Sequence, residues 1–246
     1  MREDALVDAP RMVVVIPTFN EAENLRRLLP QLLELPLDIL IVDDSSIDGS
    51  QQVVEEFVKK TDRVELLTRA SKLGLGSAYR DGFGIVLKRN YQLIIQMDAD
   101  GSHRVADLRS MIEFFKGNSQ VQLLIGSRWI KGGAVQNWPR HRELLSRAAN
   151  LYSRLLLGFV VRDSTAGFRI YRPELLQKMN LNSISSEGYA FQIEMTRRAT
   201  SVGANIVEVP ILFVEREIGV SKMSPRIVRE ALFNVTKWGI ARVIAR

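Results

Sequence analysis

Five strand-sized apolar runs, each followed by a helical or polar-turn pattern, limit this chain more than any other feature. The runs cover residues 12–17, 38–42, 64–68, 91–97 and 121–126. Between the first two, Leu25, Leu28, Leu29, Leu32 and Leu33 recur at helical spacing. Further helices are predicted over 48–60, 73–89 and 104–116. Continuous apolar strands alternating with helices require a mostly parallel sheet covered on both faces, hence an α/β fold. The later chain is less regular. Helices are expected over 142–157 and 186–202 and a strand over 166–171. A peripheral strand over 206–214 is expected because Pro210 interrupts it.

A parallel sheet binds ligands beyond the carboxyl ends of its strands. Three polar segments fall there: Pro17–Glu21, with Asn20 placed to cap a helix, Asp43–Ser46, and Asp98-Ala99-Asp100. Two carboxylates leaving a buried strand can share a hard divalent cation that bridges to substrate phosphate. An isolated pair is commonly just loop aspartate. A second acidic pair at the same rim, Asp43 and Asp44, shifts the balance toward a site. Without cysteine, and with only His103 and His141, any metal must be held by oxygen. The segment from Lys72 to Gly76 resembles half a dinucleotide fingerprint, but Tyr79 stands where the third glycine belongs, which excludes a Rossmann oxidoreductase. Arg128, Arg140, Arg142 and Arg169 supply guanidinium groups suited to phosphate.

Of the net charge of +6, five units lie in the last 25 residues, where six basic residues face only Glu230. From Pro225 onward Ile227, Val228, Ala231, Leu232, Val235 and Trp238 share a face opposed by Arg226, Arg229 and Lys237. A basic amphipathic helix of this kind suits an anionic membrane surface. Nucleic acid is not expected as a partner, because the charge is confined to one helix without a recognition motif. No secretory signal and no spanning helix are expected from the apolar run lengths.

Pro17–Glu21, the Asp43–Ser50 segment and Asp98–Asp100, in that order, resemble the family 2 glycosyltransferases of GT-A fold. Gly126-Ser127-Arg128-Trp129, Asn137-Trp138-Pro139, Arg142–Ser146, Asp163–Arg169 and Arg216–Met223 narrow the resemblance to polyprenol- or dolichol-phosphate mannose synthases. The resemblance implies a GT-A domain over 12–223, preceded by a tail over 1–11 and followed by a surface helix over 224–246. It implies transfer of mannose from GDP-mannose to a polyprenyl monophosphate, with Mg²⁺ or Mn²⁺ as cofactor, on the cytoplasmic face of a membrane. A polyprenyl-phosphate glucosyltransferase using UDP-glucose is the alternative. Pro17, Phe19, Glu21, Val42 and Asp44 would hold the nucleoside. Asp98, Ala99 and Asp100 would address metal and diphosphate. Arg128, with Asp98 and Asp100 in the catalytic set, would join Arg216 and Lys222 on the donor phosphates. Arg142 and Ser146 would meet the acceptor phosphate. Two positions depart from relatives: Phe19 replaces a common Tyr, and Ser102 replaces a metal-binding Gln. The third protein ligand is therefore Ser102, His103 or water. The QxxRW signature of processive synthases is absent, which argues against polymerisation. The lack of transmembrane helices found in some members leaves room for a membrane-embedded partner protein, which no residue identifies.

Overall fold

The structure is a computed structural model describing residues 10–218 and 225–244, the side chains of 225–227 excepted. Strands β1 (Met12–Thr18), β2 (Asp38–Asp43), β3 (Val64–Thr68), β4 (Leu93–Gln96) and β5 (Leu123–Ser127) occupy the predicted runs. The helices α1 (Ala22–Leu33), α2 (Ser50–Val58), α3 (Leu75–Val86) and α4 (Val105–Gly117) separate them. With β7 (Arg169–Tyr171) and β8 (Ile206–Pro210) they form a seven-stranded sheet of order β3-β2-β1-β4-β7-β5-β8. All pairings are parallel except those of β7, which runs antiparallel between β4 and β5.

Side chains that alternate along each strand feed two cores. Met12, Val14 and Ile16 of β1 pack with Leu25, Leu29, Val53, Leu108 and Phe115 beneath α1, α2 and α4. Val13 and Val15 face the opposite way, toward Tyr79, Phe83 and Phe191. That second layer holds α3, α5 (Arg140–Leu157), α6 (Pro173–Lys178), α7 (Gly188–Ser201) and α8 (Pro225–Ile244).

Two expectations are revised. The 206–214 run breaks at Pro210. Its first part is the sheet's edge strand, as anticipated, while β9 (Leu212–Val214) leaves to pair with β6 (Ala134–Gln136). Asn20 does not cap α1. It sits at φ +55° with its side-chain oxygen accepting Ile47 N–H, and Asp48 from the next loop accepts the Ala22 N–H at 3.0 Å.

Candidate active site

The parallel strands end at one rim. A cavity of about 370 Å³ opens there, lined by Pro17, Phe19, Glu21, Asp44, Asp98, Ala99 and Asp100 among others. The strand order sets these residues in sequence across the rim: Asp44 after β2, Phe19 after β1, Asp98 after β4, then Thr165 and Gly167 leading into β7. Val42 is the exception among the expected nucleoside contacts, because its side chain is buried in the core beneath α3.

Asp44 and Arg69 form a buried ion pair of 2.9 Å. The same carboxylate accepts the N–H groups of Leu73 and Gly74 at 2.9 and 2.8 Å, so it fixes the turn into α3. Gly74 has φ +99°, a conformation that favours glycine. That turn carries Lys72, whose ammonium lies 3.7 Å from the centroid of Phe19. Glu187 ties the same region to α7 by accepting Gly76 N–H at 2.7 Å and Ser77 N–H at 3.1 Å. Burial raises the Glu187 carboxyl above its usual range, with these two bonds opposing it.

Asp98 and Asp100 both reach the cavity. Burial raises Asp98, and the nearby Asp100 charge adds to this against His103 and Arg216. Burial acts the same way on Asp100, but Arg216 and the Ser102 hydrogen bonds outweigh it and hold that carboxyl low. Arg216 meets Asp100 Oδ2 at 2.9 Å, and Ser102 Oγ donates to Oδ1 at 2.5 Å. His103 lies behind the pair. Its Nδ1 accepts Asp98 N–H at 3.2 Å, and its ring stacks on Phe168 with centroids 4.6 Å apart. Burial depresses its pKa, with the charges of Asp98 and Asp100 opposing, and the ring braces Asp98 from within. The donor set facing the cavity is therefore two carboxylates, hard oxygen ligands both, with the buried Ser102 hydroxyl engaged behind Asp100 and not lining the cavity. A cationic guanidinium already on one carboxylate shows that positive charge is accommodated there. These groups fit a divalent cation, although no three acidic or histidine side chains among the described residues are placed to hold one together.

Arg128 departs from expectation. Its guanidinium donates to Asp163 at 2.7 and 2.6 Å and to Thr165 at 2.9 Å, and it does not line the cavity. A buried cation requires a buried counter-ion, and Asp163 supplies it. Arg169 is likewise wholly buried, donating to the carbonyls of Ala166, Ser164 and Gln192. Arg140 begins α5 at the surface. Arg142 and Ser146 line a second, apolar cavity of about 400 Å³ between α5, α7 and α8. Arg142 pairs with Glu215 and lies 4.2 Å from the Trp138 ring centroid, while its Nε has no hydrogen-bond partner. Thr165 and Tyr189 line both cavities, so the two adjoin. Lys222 lies outside the described residues. Sequence reasoning missed Lys72, Thr165, Glu187, Tyr189 and Gln192 as lining residues. Of these, only Lys72, in the glycine-rich 72–76 segment, and Thr165, in the Asp163–Arg169 segment, lay in stretches that had carried a signal.

A profile of glycosyl transferase family 2 matches residues 13–179, well over half of the chain. The chain belongs to glycosyl transferase family 2. This glycosyltransferase is 47% identical over 233 residues to the polyprenol monophosphomannose synthase of Mycolicibacterium smegmatis, covering 94% of this chain and 87% of that one. It is 45% identical over 233 residues to the undecaprenyl-phosphate mannosyltransferase of Micrococcus luteus, covering 94% and 95%. Among solved structures, a mannosyltransferase of Pyrobaculum calidifontis in complex with GDP-mannose and Mn²⁺ superposes with a TM-score of 0.61. The identity is 17%, and the match covers 98% of this chain and 66% of that one. Glucosyl-3-phosphoglycerate synthase of Mycobacterium tuberculosis, in complex with Mn²⁺, UDP-glucose and phosphoglyceric acid, superposes with a TM-score of 0.68. Here the identity is 16%, with 92% and 80% covered. The architecture of this glycosyltransferase is the GT-A fold.

Proposed function

We propose that this glycosyltransferase moves mannose from GDP-mannose to a polyprenyl monophosphate. The observation that carries the reading is near-half identity to a polyprenol monophosphomannose synthase across 94% of the chain. The paired cavities support it, since one is lined by five carboxylates, Asp98 and Asp100 among them, and the other is apolar with an arginine at its wall.

The roles follow from position. Pro17, Phe19, Glu21 and Asp44 hold the nucleoside, with Val42 supporting them from the core. Asp98 and Asp100 hold Mg²⁺ or Mn²⁺ beside Ala99, with Ser102 orienting Asp100. A bound cation would neutralise charge on the departing diphosphate. Arg216 and Lys222 add positive charge there, and Arg128 acts at one remove by fixing Thr165 between the cavities. Arg142 and Ser146 receive the acceptor phosphate. A phosphate monoester has a second pKa of about 6, so at neutral pH it is already an anionic nucleophile and needs no general base. Alignment of that oxygen opposite the leaving group suffices for a single in-line displacement, which inverts the sugar centre and gives a β-linked product from an α-linked donor.

The domain spans 12–223, the tail 1–11 and the surface helix 224–246. No described helix is long and apolar enough to cross a membrane. However, α5 exposes Leu144, Leu151 and Leu155, and α8 exposes Phe233 and Ile240. These side chains rest on the cytoplasmic surface of a membrane, where a membrane-embedded partner would also dock. Incubation with radiolabelled GDP-mannose, UDP-glucose or UDP-GlcNAc, Mg²⁺ and a short polyprenyl phosphate tests the reaction. Lipid-extractable label is expected from GDP-mannose and lost in Asp100→Ala; label from a UDP-sugar instead would overturn the donor. Activity of the purified chain in detergent shows whether a partner is required.

A further inference from the structure

One buried chain of hydrogen bonds ends in the donor cavity, and its direction is set at its far end. Arg169 is fully buried, and a guanidinium can only donate. It donates to the hydroxyl oxygen of Tyr171 at 3.5 Å, so the Tyr171 proton points onward. That hydroxyl donates to Gln96 Oε1 at 3.0 Å. The Gln96 amide is thereby oriented, and its Nε2 donates to Gln192 Oε1 at 2.7 Å. Gln192 is 3% exposed. With its oxygen engaged, its Nε2 is left to donate toward the cavity that the residue lines. An amide normally ambiguous between oxygen and nitrogen is fixed by this polarity.

The position of that nitrogen is marked by Gly167. A Cβ built on Gly167 would lie 3.2 Å from Asp98 Oδ2 and 3.4 Å from Gln192 Nε2. The amide therefore stands beside the first aspartate of the acidic pair, on the β7 side. Along the sheet the acidic pair follows the nucleoside end and precedes Gly167, beside which Gln192 lies, and Thr165 and Tyr189 line the apolar cavity as well. In a nucleotide sugar the hexose follows the diphosphate, so Gln192 falls where the hexose must lie between leaving group and acceptor. The charged phosphates have Arg142 and Arg216 nearby; a neutral amide donor in a buried wall matches a neutral oxygen.

We propose that Gln192, held donor-outward by Arg169, Tyr171 and Gln96, hydrogen-bonds a hydroxyl of the donor hexose and so helps to select it. This rests on the reading that the cavity takes a nucleotide sugar, and it adds the residue that reads the sugar.

Calorimetric titration of the full chain with GDP and with GDP-mannose, in the presence of Mn²⁺, separates the sugar from the nucleotide. Gln192→Met removes the donor. Gln192→Glu also removes it but keeps an acceptor for Gln96 Nε2, and melting curves show that each variant folds. GDP-mannose is expected to bind Gln192→Met about three- to tenfold more weakly, the range of one neutral hydrogen bond, with GDP unchanged within about twofold; in Gln192→Glu, whose charge acts on both ligands through the metal, the affinity for GDP-mannose relative to GDP should fall by the same factor. One monodeoxy analogue of GDP-mannose should lose the same factor on the wild type and nothing further on the variants. Equal weakening of GDP and GDP-mannose, no change in either, or a change only in the KM for polyprenyl phosphate would each overturn the proposal. If the wild type prefers another nucleotide hexose, the mannose assignment fails while the same cycle with that donor still tests Gln192.

Discussion

Arg128 and Asp163 have side-chain exposures of 5% and 0%, and three aromatic rings lie within 5.5 Å of the guanidinium. Removing one partner from such a pair strands a charge in the interior, at a cost of roughly 3–5 kcal/mol. Asp163→Asn should therefore lower the melting temperature by roughly 6–20 °C for a chain of this size. An unchanged thermal denaturation curve would show that the pair contributes little. Arg216 has a different part, because it covers the carboxylate proposed to bind metal. Arg216→Met is expected to bind Mn²⁺ without nucleotide roughly threefold or more tightly, since a unit positive charge is taken from beside the ion, while turnover falls. Titration followed by the Mn²⁺ paramagnetic resonance signal checks the first effect, and weaker binding in the variant would refute it. Gly167 can be altered more gently. Its added methyl would press on both Asp98 and Gln192, so Gly167→Ala should lower kcat/KM by at least about tenfold, because small misplacements at the reacting centre are costly. Its melting temperature should stay within a few degrees of wild type.

Helices α5 and α8 are where helical amphipathicity is least satisfied by the protein itself. Val235 is buried against the domain and Trp238 packs on the same core, so the apolar face read from Pro225 onward is turned to the protein and not to a membrane surface. Phe233 and Ile240, on the side opposite, remain exposed, as do Leu144, Leu151 and Leu155 of α5. Each large apolar side chain moved from water into lipid contributes about 1.5–3 kcal/mol. Phe233→Glu or Leu155→Glu should therefore reduce co-sedimentation with anionic vesicles by roughly tenfold or more, with GDP binding unaltered. Retained vesicle binding in both variants would place the membrane contact elsewhere. The same elements show what could be read in advance. Long apolar runs located β1 to β5, and strand-end polarity located Phe19, Glu21, Asp44, Asp98 and Asp100. Three-residue strands such as β6 and β9 carry too few side chains to set a period. The antiparallel direction of β7 depends on pairing partners distant in sequence, so its apolar residues cannot reveal it. Glu187 immediately precedes α7 and Gln192 lies on it, a helix whose period announces only a core. Their place in the site comes from bonds to Gly76, Ser77 and Gln96, about a hundred residues away.

At the scale of the whole molecule, the two cavities meet through Thr165 and Tyr189, and the wall between them is anchored from both sides. Arg128 and Asn150 both donate to Thr165 Oγ1, and Ser164 donates to Asn150 Oδ1. In the proposed reading the sheet rim takes the nucleotide sugar, while the cavity between α5, α7 and α8 takes the lipid. Chemistry can occur only where these two halves touch. Blocking the apolar half should then leave donor binding intact. Ala231 of α8 lines the apolar cavity, and Ala231→Trp would fill part of it from the side that faces the exposed helix surface. The expected result is a KM for long-chain polyprenyl phosphate raised about tenfold or more, as several apolar contacts are lost, with the Kd for GDP-mannose within about twofold of wild type. A short, soluble acceptor phosphate should be affected far less, because it needs only Arg142 and Ser146. Were the long-chain KM unchanged, the isoprenoid would have to approach along the outer faces of α5 and α8, and the cavity between them would serve some other apolar group.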